Sequence, residues 1–169
     1  MVITSNYRLE KQGGFYIVIT NKASNCPVCQ EPLLRRGTRR RVYYMVVVDE
    51  RKHKILIIRR LHCIKCDSIH HELPDCIVPY KRYSAETIKK VLNDQAEDVP
   101  DEPNTIRRIR GWWKAVGPYF LAILISLTEK FKIAFGKPPT FREIVRAITN
   151  SNNWIFAHQV CTRSDSRPG

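Results

Sequence analysis

The chain has 169 residues, of which 43% are hydrophobic, so it has apolar material for one sizeable core or two small ones. This composition excludes wholesale disorder. Lysine and arginine total 29 against 16 acidic residues, and the formal net charge is +13. An excess of that size indicates a polyanionic partner, either nucleic acid or an anionic membrane surface.

The sequence offers no support for the membrane alternative. The first residues lack the basic cluster and apolar stretch of a signal peptide. The longest apolar run, residues 115–127, contains Gly117 and Pro118 and is shorter than the roughly 20 residues that span a bilayer. We therefore expect a cytoplasmic protein with no membrane partner. In a reducing cytosol, six cysteines favour metal binding over disulfides.

Three strand-forming segments come first in the chain. Residues 15–20 (FYIVIT) follow a Gly-Gly pair and are β-branched and aromatic, which predicts a strand. Residues 41–48 and 54–60 are also strand-forming, and the polar residues 49–53 between them predict a hairpin loop. One Cys-x-x-Cys turn precedes this hairpin and another follows it.

The two turns supply Cys26, Cys29, Cys63 and Cys66, with 33 residues between the pairs. Each turn aims two thiolates at one point, and the hairpin returns the second pair to the first. Four sulfur ligands suit Zn²⁺ and leave no open position for chemistry. The sequence therefore predicts a structural zinc ion in a three-stranded zinc ribbon over residues 1–72.

The cysteines and histidines also have alternative interpretations. An iron–sulfur centre, a redox dithiol and a pair of disulfides remain alternatives for the four cysteines. Cys76 and Cys161 have no Cys-x-x-Cys partner, and we expect both to be ordinary thiols. His70 and His71 follow the second turn, but four cysteines already complete the shell, so we expect connector histidines that bind no metal.

The second half of the chain is predicted to be helical. Residues 73–84 contain two prolines and predict an extended connector. Ser84 is the expected N-cap of a helix that fades near residue 95. Residues 94–102 hold five acids and no base, which predicts a solvated loop, and a second helix is expected over residues 104–116.

Gly117 and Pro118 then predict a break before an apolar helix over residues 119–135. Thr140 with Glu143 predicts a capping box that opens a last helix, ending near residue 149. The expected fold is α+β, with an N-terminal three-stranded zinc ribbon and a helix-turn-helix-like α-helical domain. Its parts are a ribbon (1–72), a connector (73–84), a helical region (85–163) and a flexible tail (164–169).

Basic residues concentrate in the predicted ribbon. The segment between Cys26 and Cys66 contains eleven basic and three acidic side chains, which gives it a net charge of +8. Arginine clearly outnumbers lysine there, which favours phosphate contacts over an ordinary solvated surface. The predicted nucleic-acid contacts in the ribbon and connector are Arg35, Arg36, Arg39, Arg40, Arg41, Arg59, Arg60, Lys81 and Arg82.

A second basic element is the predicted helix 104–116. Ile106, Ile109 and one tryptophan are expected to pack inward, while the polar side enters a groove of DNA. The helix at 85–93 would be the first half of a helix-turn-helix. A merely solvated basic face is the alternative. The predicted contacts on this helix are Thr105, Arg107, Arg108, Arg110 and Lys114.

The order of motifs carries a resemblance. CPVC and CIKC, then HHELPDCIVPYKRYSAETI, NTIRRIRGWW and NSNNW…TRS resemble a family of short Firmicutes proteins with a zinc ribbon and a helix-turn-helix. Their ribbon is similar to the N-terminal DNA-binding region of insertion-sequence transposases. The resemblance implies zinc on the four cysteines, DNA binding in a mobile-element setting, and a recognition helix over residues 105–110. The chain departs from it in the long acidic link and the absence of a following catalytic domain.

These observations predict a DNA-binding protein that is not an enzyme, a nucleoid-associated regulator or accessory factor of a mobile element. A zinc ribbon that docks on a transcription or recombination protein is the first alternative, and RNA stays open beside DNA. A nuclease or recombinase fragment is disfavoured because the acids of residues 94–102 crowd into one loop and no catalytic motif occurs. The apolar helix 119–135 predicts either self-association or burial within the monomer.

Overall fold

The structure is a computed structural model. It describes residues 1–47, 50–95, 99, 103–132 and 138–154, without the side chains of 45–47, 50–52 and 131. The predicted tail 164–169, Cys161, and most of the predicted acidic loop 94–102 lie outside the described residues. Among the described helices, none combines the length and apolar character needed to cross a membrane.

Within these described residues, six strands form one mixed sheet that curls into a half-barrel. The spatial order is β1-β6-β5-β3-β2, and β4 pairs with β5 along its whole length. The β1–β6 and β3–β5 pairs are parallel, and the other pairs are antiparallel. The strands are β1 (Val2–Thr4), β2 (Arg8–Gln12), β3 (Phe15–Ile19), β4 (Leu34–Val47), β5 (Glu50–Cys63) and β6 (Ser68–Pro74).

In the part of the chain that the structure describes, the sheet is followed by three helices, α1 (Ala85–Leu92), α2 (Pro103–Phe131) and α3 (Phe141–Asn150). The side chain of Ser84 accepts a hydrogen bond from the backbone N–H of Thr87, which confirms the predicted N-cap of α1. Thr140 and Glu143 form the predicted capping box at the start of α3. Both caps satisfy amide groups that a helix leaves unpaired at its first turn.

The predicted fold class is wrong, because the helices do not form a helix-turn-helix domain behind a small ribbon. They pack on the sheet in one continuous core. Alternate residues of the central strands are apolar, and helical residues cover them. The core joins Tyr43, Leu56, Ile58 and Leu73 of the sheet to Ile88, Trp112, Phe120, Val145 and Ile148 of the helices.

The sheet is larger than a three-stranded ribbon. The predicted strand at residues 15–20 and the hairpin are confirmed, although both hairpin strands run to 14 residues and β5 takes in most of the predicted loop. β6 occupies the start of the predicted connector and ends at Pro74, where a missing N–H is tolerated. β1 is fixed by distant partners, since the Asn150 side chain bonds the backbone N–H (2.7 Å) and C=O (2.9 Å) of Ile3.

The predicted break at Gly117 and Pro118 is also wrong, because α2 continues through both residues. A proline inside a helix costs a hydrogen bond, and tertiary packing compensates for that loss here. The buried residues on the two sides of Pro118 form one stripe along α2, at Trp112, Val116, Phe120, Leu124 and Leu127. Leu121 and Ile125 are at least half exposed, so burial within the monomer takes only one side of this segment.

Candidate metal centre and basic cluster

The two Cys-x-x-Cys turns have matching backbone shapes. The residue after the second cysteine of each turn adopts a left-handed conformation, Gln30 with φ 63° and Asp67 with φ 48°. The first turn is closed by a bond from Gln30 N–H to the carbonyl of Cys26 (2.9 Å). Cys63 is the last residue of β5, and β6 begins directly after the second turn. The long hairpin therefore delivers the second turn to the first.

The four sulfurs converge on one point and could hold a metal ion, since all lie within 4.8 Å of one another. The separations are 3.5 Å for Cys26–Cys66, 3.3 Å for Cys29–Cys63 and 3.9 Å for Cys29–Cys66. A tetrahedral zinc ion with Zn–S bonds of about 2.3 Å places its sulfurs about 3.8 Å apart. The sulfurs are also well beyond the roughly 2.05 Å of a disulfide.

The four thiols lie close together in partly apolar surroundings. Cys26 and Cys63 are fully buried, and they pack with Val2, Leu33 and Leu61 in a small second core. A hydrogen bond from the Glu31 backbone lowers the pKa of Cys29, but burial and the three neighbouring thiols outweigh it and raise the pKa to about 12. Four thiolates this close repel one another, and a bound divalent cation removes that repulsion.

His70 touches the cysteine cluster from outside. Its Nε2 lies 3.5 Å from Cys26 Sγ, and its Nδ1 lies 3.3 Å from the amino nitrogen of Met1. His70 is buried, so this contact orients the Cys26 sulfur in the way that outer partners orient metal ligands. The sequence did not predict this role. The one sequence pattern that could have indicated it is the alternation of side chains along a strand. That alternation puts His70 on the same face of the sheet as Leu61, its partner in β5.

We call this side of the sheet the metal face, and it also carries Arg59 and Glu72. Glu72 is 1% exposed, and its two oxygens accept bonds from Arg59 Nε (2.6 Å) and Nη2 (2.8 Å). Ser24 Oγ donates to the same carboxylate at 2.6 Å. Arg59 also donates to the carbonyls of Thr20 and Lys22. The predicted phosphate contact Arg59 is therefore engaged inside the protein, with Glu72 as a partner that the sequence did not identify.

The opposite side, the helix face, carries Arg39, Arg41, Arg60 and His71, which we call the basic cluster. Arg39 is paired with Ile58 and Arg41 with Leu56, and both partners belong to the core under the helices. Arg60 is the cross-strand partner of His71. Arg39 Nη1 lies 3.5 Å from His71 Nε2. Strand alternation thus separates Arg60 from its neighbour Arg59 and joins it to residues of two other strands.

Arg41 is the most enclosed member of the basic cluster. Its Nη2 donates to the carbonyl of Lys81 at 3.0 Å, while its buried Nε has no hydrogen-bond partner among the described residues. Burial lowers the pKa of Arg41, and Arg39 and Arg82 lower it further by repulsion. Lys81 lies with its Nζ 4.4 Å from the ring centre of Trp112. The connector thus brings both predicted cations, Lys81 and Arg82, next to the cluster.

The other predicted contacts of the hairpin are spread over its surface. Arg35, Arg36 and Arg40 are exposed. Arg40 is paired with Ile57 on the metal face, and a register shift at Arg36 interrupts the pairing with β5. None of these three arginines forms an ion pair with a described residue. The hairpin therefore presents guanidinium groups on both of its faces.

The predicted recognition helix is the first part of the long α2. Ile109 and Trp112 are buried, as predicted. Arg110 is held locally by Asp94 (3.0 Å) and by the carbonyl of Val91 (3.3 Å). The other predicted contact residues on α2 are the half-buried Thr105 and the exposed Arg107, Arg108 and Lys114.

Comparison with known proteins adds one match. Residues 26–109 match the model of a domain of unknown function, DUF6431. The match covers just under half of the chain, from the first cysteine of the cluster to the buried Ile109 of α2. No curated protein and no solved structure matches. The DUF6431 segment thus contains all four cysteines and the whole basic cluster.

Proposed function

We propose that the protein is a DNA-binding protein whose sheet is held together by a structural zinc ion. The observation that carries the proposal is the distribution of arginines on the β4–β5 hairpin. Arg39, Arg40 and Arg60 extend from both faces of it, and none forms an ion pair with a carboxylate in the part of the chain that the structure describes. Guanidinium groups that no carboxylate neutralises are suited to phosphate oxygens.

Zinc is the proposed metal because the four sulfurs form a closed set. Two of them are fully buried, their spacing fits a tetrahedral ion, and no ligand position is left for a substrate. An iron centre is the alternative that such a set also accommodates. Metal analysis of the purified protein distinguishes them. We expect one zinc per chain and no visible absorption, whereas coloured protein containing iron would contradict zinc.

Duplex DNA is the proposed partner because the hairpin arginines suit the phosphates of its backbone. Such contacts read no bases, so any sequence preference would come from other residues. Binding of a labelled duplex should be measured across a range of salt concentrations. If five arginines of the β4–β5 hairpin contact phosphates, a plot of log affinity against log salt concentration should have a slope of about −4 to −5. Lys89, an exposed cation on α1, provides a matched control. We expect Arg40→Gln to make the slope shallower by about 0.9 and Lys89→Gln to leave it unchanged.

An affinity that does not fall with salt would overturn the proposal. Equal binding of duplex RNA and duplex DNA would replace DNA with a helix backbone of either kind. A protein partner that co-purifies in a fixed ratio, with no affinity for DNA, would favour the docking alternative. The mobile-element role, as a regulator or accessory factor, rests on the resemblance alone. Its test is whether the selected binding sites lie at the ends of insertion sequences.

A further inference from the structure

In the basic cluster, side chains that carry or can take up a positive charge lie close together on one face of the sheet. Arg39, Arg60 and His71 come from three adjacent strands and meet on the helix face. Arg41 and Arg82 add further positive charge beside them. In the described part of the chain, none of the first three forms an ion pair with a carboxylate.

Such an arrangement is costly for the free protein. Burial lowers the pKa of His71, and repulsion from Arg39, Arg60, the Met1 amino group and Arg41 lowers it further. Arg39 Nη1 donates to His71 Nε2, which requires a lone pair on that nitrogen and therefore a neutral ring. The next residue of β6, Glu72, cannot compensate the charge, because it lies on the metal face and is committed to Arg59.

An anion with several acceptor oxygens removes this cost. One phosphate group can accept bonds from two guanidinium groups and one imidazole, and guanidinium–phosphate bonds are among the stronger hydrogen bonds in proteins. We propose that Arg39, Arg60 and His71 form a binding site for a single phosphate group, which His71 holds in its protonated form. This rests on the proposed DNA binding only in that the backbone is the expected source of the phosphate.

The proposal predicts that binding takes up a proton. In the free protein the pKa of His71 lies below its ordinary value, and a phosphate beside the ring raises it. Affinity should therefore increase as pH falls through the window between the free and the bound pKa of His71. Above that window the ring is neutral in both states and below it the ring is protonated in both, so the contribution is constant there.

The test is an NMR titration of the zinc-loaded full-length protein, observing the His71 ring signals assigned with His71→Gln. Inorganic phosphate and a short duplex are added separately, against sodium chloride of equal ionic strength. We expect both to raise the pKa of His71. Arg39→Gln and Arg60→Gln should each weaken the phosphate effect about tenfold. For inorganic phosphate, Arg40→Gln is the matched control, on the same strand but the opposite face, and it should change this effect little even though it weakens duplex binding.

The outcomes separate this site from the wider function. A response to inorganic phosphate without a response to the duplex supports the site and shows that its phosphate does not come from the backbone, while the anisotropy titration of the labelled duplex decides DNA binding separately. A response to the duplex alone identifies the backbone as the source. No response to either, or equal losses in Arg39→Gln and Arg40→Gln, overturns the site even if the duplex binds elsewhere. Thermal unfolding of each variant shows whether a loss reflects misfolding, and His71→Gln must reduce the pH dependence of phosphate affinity to the part that comes from ionisation of the phosphate itself.

Discussion

Arg59 and Arg60 are neighbours in β5, yet they lie on opposite faces of the sheet and have opposite surroundings. Arg59 is bonded through two nitrogens to the buried carboxylate of Glu72 on the metal face. Arg60 lies in the basic cluster, with His71 as its cross-strand partner and no carboxylate partner among the described side chains. The same residue type therefore pairs with a buried carboxylate on one face and has no carboxylate partner among the described side chains on the other.

The largest loss of stability is expected when a cysteine of the metal face is replaced. Cys63→Ala removes a fully buried sulfur from the cluster. We expect loss of the metal and a loss of about 5 kcal/mol or more in the free energy of unfolding, because the metal contributes directly to folding. Metal content and urea unfolding measure both effects. Cys76→Ala, which changes a cysteine outside the cluster, should keep the metal, and equal metal loss in both variants would contradict the assignment.

The next largest effect is expected at Arg59. Arg59→Met leaves the carboxylate of Glu72 buried without its charged partner, which should cost about 3 kcal/mol in urea unfolding. Replacing Glu72 with Gln in the same chain should recover part of this cost, since the uncompensated charge is gone. If the single variant were as stable as the original protein, Arg59 would be a surface cation after all.

Replacing Arg60 should leave stability nearly unchanged and weaken duplex binding. Arg60→Met leaves no buried charge unpaired, so the free energy of unfolding should change by no more than about 0.5 kcal/mol. Duplex affinity should fall, and the salt slope should become shallower by about 0.9. Urea unfolding and fluorescence anisotropy on the same preparation make the comparison. A variant that is destabilised as strongly as Arg59→Met would remove the distinction between the two faces.

The last effect, at Arg41, concerns stability alone, and its expected sign is the reverse of the usual destabilisation. Its guanidinium group is partly desolvated, repelled by Arg39 and Arg82, and has an unpartnered Nε. Arg41→Met keeps the aliphatic contacts and removes the charge, so stability should stay level or rise by up to about 1 kcal/mol. Thermal unfolding measures this. Clear destabilisation would show that the bond to the Lys81 carbonyl outweighs the repulsion.

Much of this organisation follows from local patterns. The cysteine turns, the hairpin and the caps at Ser84 and Thr140 were predicted because a few adjacent residues determine each of them. The opposite placement of Arg59 and Arg60 was also open to prediction, since neighbours in a strand point to opposite faces. Predicting both residues as phosphate contacts did not take that rule into account.

Other features depend on residues far apart in the chain. β1 has three residues and is defined by β6 and by Asn150, so its own sequence carries little signal. Glu72 resembles any connector carboxylate until Arg59 is placed beside it. The prediction of a break at Pro118 was wrong for a different reason. The apolar stripe of α2 continues in register on both sides of the proline, and burial of that stripe outweighs a local preference.

The bonds between Ile3 and Asn150 have a consequence for synthesis of the chain. These residues are 147 positions apart, so β1 cannot acquire its partner on α3 until nearly the whole described chain has left the ribosome. Both cysteine turns emerge about 80 residues earlier. The four cysteines can therefore come together while translation continues, and the bonds between β1 and α3 form last.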